Sequence, residues 1–140
     1  MKKLLISCCL YVGCAVQAET LWFNIMGDPD NDKVDTVEVD PRPVSVQGST
    51  RTMRVRVSRA QERLNWDGLA YRSYTSEVFF DCLSHTTRYL LVNYYTQPAW
   101  RGQAYKSVTY SPRDVRTMEL RDISPNPQKR IVRAACHSSS

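Results

Sequence analysis

Catalytic residue types are scarce in this sequence. It holds only two histidines, His85 and His137, and no Gly-x-Ser-x-Gly turn. A nucleophile triad needs a base that is itself held by an orienting group, and an exposed serine nucleophile needs the strained turn that is missing here. His85 stands near Asp81 and Ser84 in the chain, but sequence proximity alone does not build a triad. No enzyme activity is expected. Long apolar runs are absent after the first 18 residues, so the rest of the chain has no candidate for the roughly 20-residue membrane span. Internal repeats, low-complexity segments and composition breaks are absent too, which leaves one domain over residues 19–140.

The N-terminus is the most informative segment. Met1-Lys2-Lys3 is basic, Leu4 to Val16 is apolar, and Val16-Gln17-Ala18 ends in a small residue. That order is a charged start, an apolar stretch and a cleavage site, so residues 1–18 are expected to be a signal peptide. Cleavage after Ala18 makes Glu19 the first mature residue. A lipoprotein beginning at Cys14 is the alternative, although Tyr11 is bulky where such a site wants a leucine-like residue. With a lipid there, the protein would associate peripherally with a membrane.

Three of the five cysteines (Cys8, Cys9 and Cys14) lie in that leader. Cys82 and Cys136 remain, an even number in an oxidising compartment, and one disulfide is expected between them. Removing 18 of 140 residues leaves 122, a size that suits one modest core. Losing Lys2 and Lys3 leaves 17 of 19 basic residues against 14 acidic ones, a mature net charge of about +3. This mild excess permits a protein or acidic glycan partner. Export argues against nucleic acid.

The chain pattern predicts an α+β domain, mainly an antiparallel sheet of about six strands. Thr52 to Ser58 is the clearest strand: Met53, Val55 and Val57 alternate with Arg54 and Arg56, the period of a sheet with one wet face. Further strands are expected at Leu21–Ile25, Val34–Val39, Val44–Gln47, Leu69–Cys82, Arg88–Tyr95, Ala104–Tyr110 and Arg116–Leu120. Arg59 to Asn65 is expected to be a helical turn or a loop. Asn126-Pro127 has the chemistry of a helix start. Ile131, Val132, Ala135 and Cys136 then share one helical side. A short C-terminal helix should therefore pack on the sheet, tied to it by the disulfide, with residues 136–140 as a frayed tail.

Two metal arrangements fail on spacing. Cys82-x-x-His85 and Cys136-His137 offer zinc ligands, but neighbours on a helix point about 100° apart. Asp28, Asp30 and Asp32 resemble a calcium loop, yet Lys33 and Val39 occupy the positions that need glycine and glutamate. Neither a metal nor a cofactor is expected. Arg51, Arg54, Arg56, Arg59 and Arg63 cluster around one strand, and Tyr94, Tyr95 and Trp100 around a turn. Arginine and aromatic residues anchor many binding surfaces, so Arg51, Arg54, Arg56, Arg59, Tyr94, Tyr95 and Trp100 are the candidate surface. A solvated sheet face with ordinary core aromatics is the plainer alternative.

The order Tyr71-Arg72-Ser73, Val78-Phe79-Phe80-Asp81-Cys82, Arg88-Tyr89, Tyr94-Tyr95, Pro98-Ala99-Trp100-Arg101-Gly102 and Arg133-Ala134-Ala135-Cys136 resembles the surface-adhesin E family of Gram-negative bacteria. The resemblance runs from about Trp22 to Cys136. It implies a disulfide-tied helix on an antiparallel sheet and a non-enzymatic protein of the periplasm or cell surface. The characterised adhesin of this kind binds host matrix and plasma proteins, which implies an adhesin-like, protein-binding module. The alternative is a structural or accessory envelope protein that forms a homodimer through a sheet edge or binds an envelope partner.

Overall fold

The computed structural model describes Gly13 and residues 21–137. The leader around Gly13, the cleavage site after Ala18, the alternative lipid site at Cys14 and the tail Ser138–Ser140 lie outside the described residues. Seven strands form one antiparallel sheet: β1 (Phe23–Met26), β2 (Thr36–Val39), β3 (Ser45–Gln47), β4 (Thr50–Leu64), β5 (Ala70–Asp81), β6 (Thr86–Tyr95) and β7 (Lys106–Thr109). The spatial order is β1-β2-β4-β5-β6-β7, with β3 beside β4. β2 and β3 are two halves of one edge along β4. Pro41 and Pro43 interrupt that edge because proline has no N–H to donate, and Asp40 and Val44 resume the ladder on either side by donating to Arg54 O and Thr52 O.

β4 follows the alternation read from the sequence. Met53, Val55 and Val57 are fully buried. Their cross-strand partners Val78, Ser76 and Tyr74 on β5 lie on the same face, as do Val37 and Val39 on β2. Each fully buried valine contributes about 1.5–3 kcal/mol relative to an exposed one. β4 does not stop at Ser58. The segment expected to be a helical turn or loop continues the strand through a register shift between Ser58 and Arg63. The local pattern is polar because Gln61 and Glu62 are exposed, while the buried Arg59 is paired with Asp35 and Asp122 from elsewhere in the chain.

The last expected strand is also corrected. Arg116–Leu120 makes one isolated bridge, Arg88 to Thr117. β7 already occupies that edge of β6 from Leu91 to Tyr94, and Leu120 turns away with φ 48°. Gly27 closes the turn after β1 at φ 80°, where a Cβ would stand 2.2 Å from Asp35 O.

Helix α1 spans Gln128–His137. Asn126 Oδ1 accepts from Gln128 N at 2.8 Å, which caps its start. Ile131, Val132 and Ala135 pack onto the sheet, joined in the core by Met118 and Ile123. Cys136 is bonded to Cys82, just beyond the end of β5, with Cα atoms 5.7 Å apart. Cys136 and His137 are helical, so that part of the expected tail belongs to the folded domain.

Candidate functional site

The parity of a strand decides which candidate residues meet. Positions 51, 53, 55, 57 and 59 of β4 lead to the helix side or the interior, and 54 and 56 to the opposite, outer face. Arg51 is half-buried and donates from Nη1 to Ala135 O at 3.1 Å, near the end of α1. Arg59 is 1% exposed, and Tyr94 is 2% exposed in the core. Arg54, Arg56, Tyr95 and Trp100 share the outer face. The seven candidates are therefore not one surface: Arg59 and Tyr94 are interior groups, and Arg51 ties the helix to β4.

The outer face has its own construction. The Arg56 guanidinium lies between two indole rings, 4.3 Å from the Trp22 centroid and 3.9 Å from that of Trp100. Its Nε is 2.5 Å from Glu38 Oε2, and Glu38 is buried. Burial lowers the Arg56 pKa, an effect opposed by Glu38. Beside it, Arg54 Nη1 is 3.9 Å from Asp40 Oδ2. On the same face Arg88 stacks on Phe79, 4.8 Å from its centroid. The positive charges at Arg54 and Arg56 thus have carboxylate partners, and Trp22, Phe79, Tyr95 and Trp100 are half-buried on this face. Trp22 and Phe79 were missed at the sequence level. Phe79 was recoverable from its parity with Phe80, whereas Trp22 required knowing that β1 pairs with β2.

Trp100 is pinned by the backbone. Ser73 Oγ donates to Gln97 O at 2.6 Å and accepts from Trp100 N at 3.1 Å. Ser58 Oγ accepts from Ala99 N at 2.9 Å. The indole Nε1 donates to Val57 O at 3.2 Å and Tyr74 O at 2.9 Å. These bonds hold Ala99 and Trp100 at φ 53° and 56°, a conformation that costs of order 1–3 kcal/mol for a non-glycine residue. Ser73 is fully buried. Ser73→Ala leaves Gln97 O and Trp100 N without their partner and is expected to cost about 1–3 kcal/mol. A urea titration followed by tryptophan emission checks it.

Among the described residues no carboxylate lines the concavity that holds the histidines. Asp81 Oδ1 accepts from Leu83 N and Ser84 N in the turn after β5. The concavity that holds His85 and His137 is otherwise formed by Gln128, Lys129, Val132, Arg133 and Cys136, with no carboxylate. Asp28 and Asn31 accept backbone N–H bonds from Asp30 and Lys33, as turn residues do. Among the described residues no group of three or more histidine, cysteine or acidic side chains could hold a metal ion.

A second concavity lies on the helix-side face of the sheet, opposite the outer face, between β4–β6 and residues 119–122. Its volume is about 390 Å³, and Tyr71, Tyr74, Tyr89 and Tyr94 form its wall with Trp66. These tyrosines come from two strands, so no sequence window contained them. The sequence model of the family described as Surface-adhesin protein E matches residues 22–137. No curated protein and no solved structure matches the chain.

Proposed function

The chain belongs to the surface-adhesin protein E family, and from that membership we propose an exported, non-enzymatic envelope protein that binds a protein partner through its outer sheet face. The Trp22–Arg56–Trp100 stack carries this reading. Two indoles and a guanidinium are the side chains most enriched among interface anchors. Here they sit on the face that the C-terminal helix leaves open. The arginine is held between the rings and by Glu38, so little side-chain freedom remains to be lost when a partner docks. The paired charges favour a protein surface over a uniformly acidic polymer.

Arg54 has a 47% exposed side chain, and Tyr95 is half-buried on the same face. Arg54 is 3.9 Å from the buried Asp40 and opposes Glu77 on β5, so it also has a place in the fold. The double variant Arg54→Glu, Tyr95→Ala is expected to weaken binding to immobilised matrix, plasma or envelope proteins by tenfold or more, about 1.4 kcal/mol. Its unfolding midpoint should fall, since the new carboxylate faces Asp40 and Glu77, while the folded baseline in circular dichroism should match that of the parent. Surface plasmon resonance against a purified panel measures it. Binding that survives both substitutions and added salt removes this face from the account.

A second reading draws on β7. Among the described residues it pairs only with β6 and leaves its other edge open, and an open edge can accept a strand from another copy. An accessory envelope role through self-association follows, without adhesion. Sedimentation over a wide concentration range tests it, and a strict monomer throughout counts against it.

A further inference from the structure

We propose that the tyrosine-walled cavity is a binding site for an organic ammonium group of the quaternary, choline-like type. It lies on the opposite side of the sheet from the Trp22–Arg56–Trp100 stack and goes beyond the protein-binding reading. Its wall is a continuous run of aromatic rings. Tyr71 and Tyr94 have centroids 5.3 Å apart, Tyr71 and Tyr74 5.6 Å, and Tyr74 and Tyr89 5.9 Å. Trp66 extends the run at 5.7 Å from Tyr89. Aromatic faces carry negative potential and attract cations, most strongly where water is excluded.

The polar groups of the cavity are largely engaged with one another. The Tyr74 and Tyr89 hydroxyls share a hydrogen bond of 2.6 Å. The Asn65 side-chain oxygen Oδ1 accepts from Asp67 N and Leu69 N. Glu119 pairs with Arg121 at 2.7 Å and Asp122 with Arg59 at 2.8 Å. A sugar would find few free donors or acceptors, so the ring surfaces are left to select the ligand. Arg59 lies between Asp35 and Asp122, with Arg63 also acting on Asp35, and the Arg116 guanidinium is 5.4 Å from the Trp66 centroid. Net charge therefore does not select the ligand, and the ring surfaces carry the assignment.

The mouth has not closed over itself. Trp66 is 52% exposed and Leu64 is 66% exposed at its edge. Two large apolar side chains are thus left in water beside an aromatic cavity, as at a site that a ligand completes.

Titration of the full mature protein with choline or tetramethylammonium tests the assignment, read by tryptophan emission and by ring-proton shifts. Choline should bind at least about tenfold more tightly than its neutral isostere 3,3-dimethylbutan-1-ol. Trp66→Ala should weaken choline by about tenfold and Trp66→Phe by much less, since a ring face is restored. Equal binding of the neutral isostere overturns the proposal, as does no binding of either cation at tens of millimolar. Vesicles of phosphatidylcholine and of phosphatidylglycerol separate the sources. Preference for the former assigns the group to a lipid headgroup, and binding of free choline alone assigns it to a soluble ligand. The Arg54→Glu, Tyr95→Ala protein should bind choline unchanged, which keeps this result distinct from that of the outer face.

Discussion

Replacing Cys82 and Cys136 together by serine is expected to destabilise the domain by about 4 kcal/mol, the chain-entropy value for a loop of this length. The bond joins residues 54 apart. It thereby restricts more than a third of the unfolded 140-residue chain. It also holds an element that has little stability alone. Helix α1 has 10 residues, and isolated helices below roughly 12–15 residues are marginal in water. Its other ties include bonds from Arg51 to Ala135 O, Arg130 to Ile25 O and Gln128 Nε2 to Thr87 Oγ1, while Ile131, Val132 and Ala135 give it an apolar face. Without the disulfide, the helix should detach before the sheet unfolds and expose the apolar surface beneath. Guanidinium titrations of the parent, the reduced parent and the double serine variant measure the cost. Limited proteolysis reports the detachment, with early cuts between residues 120 and 128. A loss under about 1 kcal/mol would mean that packing holds the helix and that the bond constrains little.

Arg59→Ala is expected to be the other large effect, at about 3 kcal/mol, the low end for breaking a buried ion pair by removing one partner. Arg59 is 1% exposed. Its Nε is 3.1 Å from Asp35 Oδ1 and its Nη1 is 2.8 Å from Asp122 Oδ2. Most of the cost falls on Asp35, whose side chain is 22% exposed, because Asp122 at 56% can return to water. Burial alone would lower the Arg59 pKa, but its hydrogen bonds to Asp122 and Asp35 outweigh it and raise it. Burial likewise pushes Asp35 upward, and the Ala60 N–H together with Arg59 overcomes it, so its pKa is lowered from 3.8.

The direction fixes the pH dependence. A carboxylate with a depressed folded pKa contributes stability above its unfolded value and loses it as the pH falls through the folded value. For Asp35 that loss begins near pH 3.8 and continues below it. The parent should therefore lose stability on acidification to pH 3 partly through this residue. In Arg59→Ala that part of the loss should shrink, since its main side-chain partner is gone. Urea titrations of both proteins at pH 7 and pH 3 give the comparison. An acid loss of the same size in both would place the pH sensitivity elsewhere, with Asp40 and its Arg42 and Arg54 partners the next group to test.

Arg59 also illustrates where sequence reading succeeds and where it stops. Met53, Val55 and Val57 announce a half-buried strand because a period of two is a local property of the extended backbone. The same parity places Arg54 and Arg56 on the opposite face from Arg51, a distinction that grouping the arginines by proximity overlooked. Tyr94 and Tyr95 are neighbours and had to diverge for the same reason. Asn126-Pro127 announces the helix through capping chemistry, and the exported character of the chain makes Cys82 and Cys136 partners. All of these are decided within a few residues or by compartment.

Other features depend on long-range register. The shift between Ser58 and Arg63 lets β4 run past Ser58 and turns Arg59 into a buried cation. A second shift, between Glu77 and Val78 where β5 meets β6, sets which tyrosines face each other. Tyr71 and Tyr74 meet Tyr89 and Tyr94 only through that pairing. Trp22 and Trp100, far apart in the chain, meet over Arg56 because β1 reaches β4 through β2 and the turn at Pro98–Trp100 folds back across the sheet. Local alternation specifies two faces for each strand. Register across the sheet, and the segments that cover one face and leave the other open, bring those faces together into sites.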